Sequence, residues 1–298
     1  MFLALFIALQ AATMTPLPDE QSITVTGTRL TEAAAAEGAR SYVRSVLPVP
    51  AYGQYARWAD PVCVKVSGID DIYARKVAAR VDAAAVAAGI KLGKPGCRAN
   101  LSVVFTEDAP TTVGVIVRKK PKQIARLGSE ERQRLLTAPL PVRWWHGIEL
   151  RGADGNAAAP AASSALMSAQ TGGGPPLASI LPSDAPQTDT WSSSLINSPI
   201  AVWATSGVVV VDVGLATGKS LDAVADYVAM VGLAPMKLPP ATPGVPSILA
   251  LFGGTAAPAA LTEWDQAFLA SLYRIRMNRT GARQTGDLVT GIKAQLAR

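Results

Sequence analysis

Between residues 61 and 106 the chain reads as strand, helix and strand in succession. Two strands joined through a helix of that length have to lie parallel in one sheet, with a right-handed crossover between them. The helix is placed at residues 70–88, where Val77, Val81, Ala84, Ala85 and Ala88 recur at three- and four-residue spacing. The strands are placed at 61–67 and 101–106, each rich in β-branched residues.

Cys63 and Cys97 lie within this unit, on either side of its helix, and are the only cysteines in the chain. In an oxidising compartment they form one structural disulfide that staples the start of the first strand to the loop entering the second. Closing a loop of that length adds roughly 3–4 kcal/mol by the chain-entropy estimate. In a reducing compartment the same residues are two buried free thiols. A zinc site is not expected, because no C-x-x-C pair is present and the single histidine, His146, is far away in sequence.

The compartment is read from the N-terminus. An apolar run at residues 2–9 is followed by small residues and a Pro-rich polar stretch, the shape of a secretory signal within residues 1–20. That run is too short to span a bilayer, which takes about 20 apolar residues, and no other segment is long and apolar enough, so no transmembrane span is expected once the signal is removed. The expected location is periplasmic or secreted.

The remaining elements are an α/β half at 21–152 and a second half at 191–298 of the same domain. A strand at 22–28 and an Ala-rich helix at 31–47 precede the parallel unit. A further strand is expected at 112–117, a short helix at 129–136 and a strand at 142–151 that carries Trp144, Trp145 and His146. Strand alternation puts Trp144 and His146 on one face and Trp145 on the other. Residues 153–190 are Ala, Pro, Ser and Gly with almost no charge, and are expected to be a disordered, low-complexity insertion. A strand at 201–213 follows, then helices at 220–233, 262–273 and 286–297, the second with Thr262 as its cap.

Having one histidine excludes the ordinary two-histidine zinc hydrolase motif. His146 could act as a general base only with Asp, Glu or Ser partners supplied by the fold, and its plainer reading is a packed strand residue. The run GLATGKS at 214–220 sits between a strand and a helix, where a phosphate loop belongs. It has three residues where that motif requires four, and valine at position 213 where glycine is needed, so a plain turn explains it better. Net charge is +6, with basic clusters at 118–134 and 274–298. Neither cluster interleaves aromatics for base stacking, so nucleic acid is not the expected partner. They are solvated faces or contacts to an anionic envelope component.

In the last third, ADYVAMVGL (225–233), PSILALF (246–252) and LTEWDQAFLASLY (261–273) come in fixed order before a basic segment. This order resembles the end of an uncharacterised family of secreted bacterial proteins related to zincin metallopeptidases. The resemblance implies an α+β, zincin-like fold: a mixed sheet with the βαβ unit, a helical C-terminal third, and a cleft between an edge strand and the 220–233 helix. The edge strand would be 112–117 or 142–151. Carried over by position, Ala225 and Ala229 stand where metal ligands would be, Asp226 where the catalytic carboxylate would be, and Gly232 and Leu233 at the closing turn. Trp144, His146, Asp226 and Tyr227 become the candidate cleft residues. Alanine has no lone pair for zinc, so no metal and no other cofactor is expected, and metal-dependent peptidase activity is not expected. The leading reading is a non-catalytic, exported protein that binds in the cell envelope, with an extended peptide as the partner the cleft suggests. The alternatives are a divergent hydrolase using His146 and Asp226, and an envelope-surface module held by its basic patches.

Overall fold

A computed structural model describes residues 31–48, 53–125, 127–152, 159–160, 186–187, 197–254 and 257–297. The expected signal and the strand at 22–28 lie outside the described residues, as does the insertion at 153–190 apart from two short pieces. The elements are α1 (Glu32–Val46), β1 (Arg57–Trp58), β2 (Val64–Ser67), α2 (Asp71–Ala88), β3 (Leu101–Thr106), α3 (Ala109–Lys119), α4 (Ser129–Thr137) and β4 (Val142–Gly152). After the short pair β5 (Ala159–Pro160) and β6 (Pro186–Gln187) come β7 (Ile200–Asp212), α5 (Leu221–Leu233), α6 (Glu263–Leu272) and α7 (Gly281–Leu296).

The main sheet is mixed and mostly parallel, an α+β arrangement. β2, β3 and β7 run parallel side by side, with Val66 opposite Val103 and Val103 opposite Val209. β1 is also parallel to β7, meeting it at Trp203 and Ala204. β4 pairs antiparallel with β7 along its whole length, with a register shift between Gly147 and Ile148. The unbroken valines at 208–211 suit a strand buried on both faces.

α2 buries Val77, Val81, Ala84, Ala85 and Ala88, the stripe its spacing predicts, and ends on Gly89 in the left-handed region. The disulfide between Cys63 and Cys97 ties the segment entering β2 to the loop before β3. Gly68 turns the chain from β2 into α2 with φ +86, and a Cβ there would meet the Phe105 carbonyl oxygen at 1.9 Å. Only glycine fits that turn.

α5 is the centre of the molecule: every residue from Ala223 to Leu233 is buried. A helix covered on all sides has to be apolar all round, and from Ala223 on this one is, save for Asp226 and the Tyr227 hydroxyl. Gly232 lets its last turn lie close on the sheet, since a Cβ there would stand 3.2 Å from Leu101.

Two expectations are corrected. Residues 112–117 are not a strand but the middle of α3. Asp108 accepts a hydrogen bond from the Thr111 amide and Pro110 occupies the first turn, so the cap overrides the β-branched run. The last helix begins at Gly281 rather than at residue 286, with Gln284 and Leu288 buried on one face. β4 is therefore the antiparallel edge next to α5, and 112–117 is no longer a candidate edge.

Candidate functional site

Strand alternation turns Trp144 and His146 toward α5, and Trp145 toward the other face of the sheet. The Trp144 ring meets Tyr227 edge-on at 6.2 Å, and Tyr227 in turn meets Phe252 at 5.1 Å. Trp144 Nε1 donates to the Met236 carbonyl. Trp145 Nε1 donates instead to Gln123. Burial of the Tyr227 phenol pushes its pKa up, so it stays protonated at any ordinary pH.

His146 lies two residues along the same face, and its Nε2 is 3.0 Å from the Gly232 carbonyl oxygen. A carbonyl only accepts, so this nitrogen carries the proton and donates. Trp58 Nε1 donates to the same oxygen at 3.0 Å, and its ring stands edge-on to the imidazole at 6.1 Å. Burial lowers the His146 pKa to about 4, only partly opposed by the Gly232 bond, so the ring is neutral at pH 7. A side chain this weakly basic and this fully packed is a poor proton acceptor for a substrate.

Asp226 belongs to a different neighbourhood. Six residues separate it from Gly232, which places the two about 120° apart around a helix of 3.6 residues per turn. Its carboxylate accepts from Arg80 Nε at 2.6 Å, from the second arm of that guanidinium at 3.0 Å, and from the Leu261 amide at 2.9 Å. Asp222, one turn earlier, pairs with Lys76 at 2.9 Å. These pairs fasten α5 to α2 and to the segment entering α6. Trp144, Tyr227 and His146 therefore gather between β4 and α5, whereas Asp226 is turned away from them, and the expected pairing of His146 with Asp226 is not formed.

Ala225 and Ala229 are buried to 1% and 0% exposure and offer no metal donor. Among the described residues no group of three or more His, Cys, Asp or Glu side chains is placed to hold a metal ion. The residues present do not fit a zinc centre.

The edge of β4 is partly closed. The Asp212 amide donates to Pro141 O. In an antiparallel ladder this turns the backbone groups of Val142, Trp144 and His146 away from β7. Those three residues are nonetheless buried, while Gly147, Ile148, Glu149 and Arg151 are half-exposed.

Sequence reasoning recognised the Thr262 cap but missed what Asp265 does. This fully buried carboxylate accepts from Tyr42 Oη and Ser247 Oγ, both at 2.5 Å, and from the Ile248 amide at 2.8 Å. It also accepts from the amide and the hydroxyl of Thr262, each at 2.9 Å. The motifs PSIL and LTEWD thus meet at one carboxylate, and a serine and an aspartate inside otherwise apolar motifs were the signal for it. Trp58 was also missed, because its strand is only two residues long.

The disulfide is consistent with an oxidising, extracytoplasmic location, and among the described residues no helix is long and apolar enough to cross a membrane. Comparison with protein-family models, with curated proteins and with solved structures finds no match for this chain.

Proposed function

We propose that this is a non-catalytic, zincin-like binding protein of the cell envelope. The observation that carries the reading is that the two candidate catalytic groups are committed internally: Asp226 to Arg80 and Leu261, His146 to Gly232. The mixed sheet, its antiparallel edge β4 and the helix bearing Ala225, Asp226, Ala229 and Gly232 support the zincin-like part. The disulfide supports the envelope part. An extended peptide would add along the half-exposed second half of β4, since residues 142–146 are buried.

The test is metal analysis of the purified protein together with a peptide-library hydrolysis assay. The expected result is no stoichiometric zinc and no turnover, with Asp226→Asn lowering stability by about 1–3 kcal/mol through loss of a charged hydrogen-bond pair. One zinc per chain, or hydrolysis that vanishes in a folded Asp226→Asn variant, overturns the reading.

A further inference from the structure

At the carboxyl ends of β2, β3 and β7 the sheet opens into a crevice of about 340 Å³. It lies at the far end of β7 from the half-exposed part of β4. Its walls are Phe105, Val211, Val213, Leu221 and Val224, with Tyr73 from the first turn of α2. In sheets of parallel strands this is where ligands bind, because the loops and helix N-termini there leave an unfilled recess.

Six large apolar side chains are exposed among the described residues, and four of them, Ile72, Tyr73, Val213 and Leu215, belong to the two segments that wall this crevice. Clustering of that kind marks a contact surface rather than ordinary scatter.

The polar side of the crevice is equally specific. The loop 214–220 is poorly suited to cradle a phosphate, because four of its seven amides are already used. Leu215 N donates to Asp212 Oδ1, Ala216 N to Asp212 O, Thr217 N to Gly214 O and Lys219 N to Ala216 O. Thr217 Oγ1 donates to Val213 O. What the loop presents is the half-buried Lys219, the one charged residue in the lining, which forms no ion pair among the described residues. No carboxylate belongs to the lining: Asp222 pairs with Lys76, Asp212 accepts the Leu215 amide, and Asp70 and Asp71 stand at the start of α2. The N-terminal turn of α5 opens on the same space and adds to the positive potential.

We infer that the crevice at the carboxyl ends of β2, β3 and β7 binds a small hydrophobic monocarboxylate, its apolar body against Phe105, Val211 and Val224 and its carboxylate at Lys219. At roughly 30 Å³ per group the space takes about ten non-hydrogen atoms, the size of a short-chain acid.

Calorimetric titration of the full chain with octanoate below its micelle-forming concentration tests this, with octylamine as the same body carrying the opposite charge. Saturable one-to-one binding of octanoate is expected, with octylamine at least ten-fold weaker. Lys219→Gln should weaken octanoate about five-fold, the size of one partly screened ion pair. Val213→Glu, at an exposed position, should abolish binding without lowering the melting temperature. No saturable binding, equal binding of octylamine, or unchanged binding by both variants overturns the inference. So does binding to anionic phosphatidylglycerol vesicles with none to octanoate monomers, which would assign the attraction to surface charge. Zinc content and hydrolysis are not read in this experiment, so its failure leaves the non-catalytic reading standing and the reverse also holds.

Discussion

The surroundings of Asp265 and the crevice at the strand ends are opposite solutions to the same folding problem. Around Asp265 five donors from three separate segments converge on one buried carboxylate, and nothing polar is left for a ligand. At the crevice most of the loop amides are used as well, but apolar side chains remain in water. Buried polar groups are costly to leave unpaired, whereas exposed apolar area is tolerated up to a few hundred Å². The first region therefore governs stability and the second is free to serve binding.

The largest effect that would break this contrast is at Asp265. Asp265→Ala strands four donors, the Thr262 hydroxyl keeping the Pro246 carbonyl, and should cost about 4 kcal/mol or more in urea unfolding. Tyr42→Phe removes one donor, leaves the other four, and should cost about 1 kcal/mol. If the two variants are equally stable, the carboxylate does not organise this region.

A smaller effect comes from His146, which belongs to neither region. Its pKa is about 4 in the fold against an ordinary value of 6.5. The unfolded chain thus binds more protons between those values, so stability present above pH 6.5 is lost as pH falls toward 4. The loss should reach roughly 2–3 kcal/mol by pH 4.5. Urea unfolding at pH 7 and pH 4.5 should show this difference in the parent and a clearly smaller one in His146→Gln. At the other extreme, Val213→Ser on the crevice wall should change stability by no more than about 0.5 kcal/mol. A larger loss would make the crevice wall part of the core.

Much of the fold was legible because its signals are local. The stripe on α2, the Thr262 cap and the opposed faces of Trp144 and Trp145 each follow from spacing within a few residues. α3 was misread because threonines and valines favour strands, and only the Asp108 cap with Pro110 tips the balance. The partners of Asp265 and His146 were illegible for another reason. Tyr42 lies 223 residues from Asp265, and Gly232 lies 86 residues from His146, so no window in the chain contains the interaction. The crevice was half visible: its loop was noticed as GLATGKS, but whether those amides were free could be read only from their bonding.

The C-terminal end of α5 has a kinetic consequence. Its carbonyls and those just beyond it accept from Trp58 and His146 at Gly232, from Tyr273 at Leu233 and from Trp144 at Met236. The donors come from β1, β4 and the end of α6, so the helix cannot be dried until segments from both halves of the chain have arrived. Contacts that far apart close slowly, and each is formed only after loop entropy has been overcome. The last turn of α5 should be a late event in folding, with hydrogen exchange of its amides during refolding lagging behind that of α2.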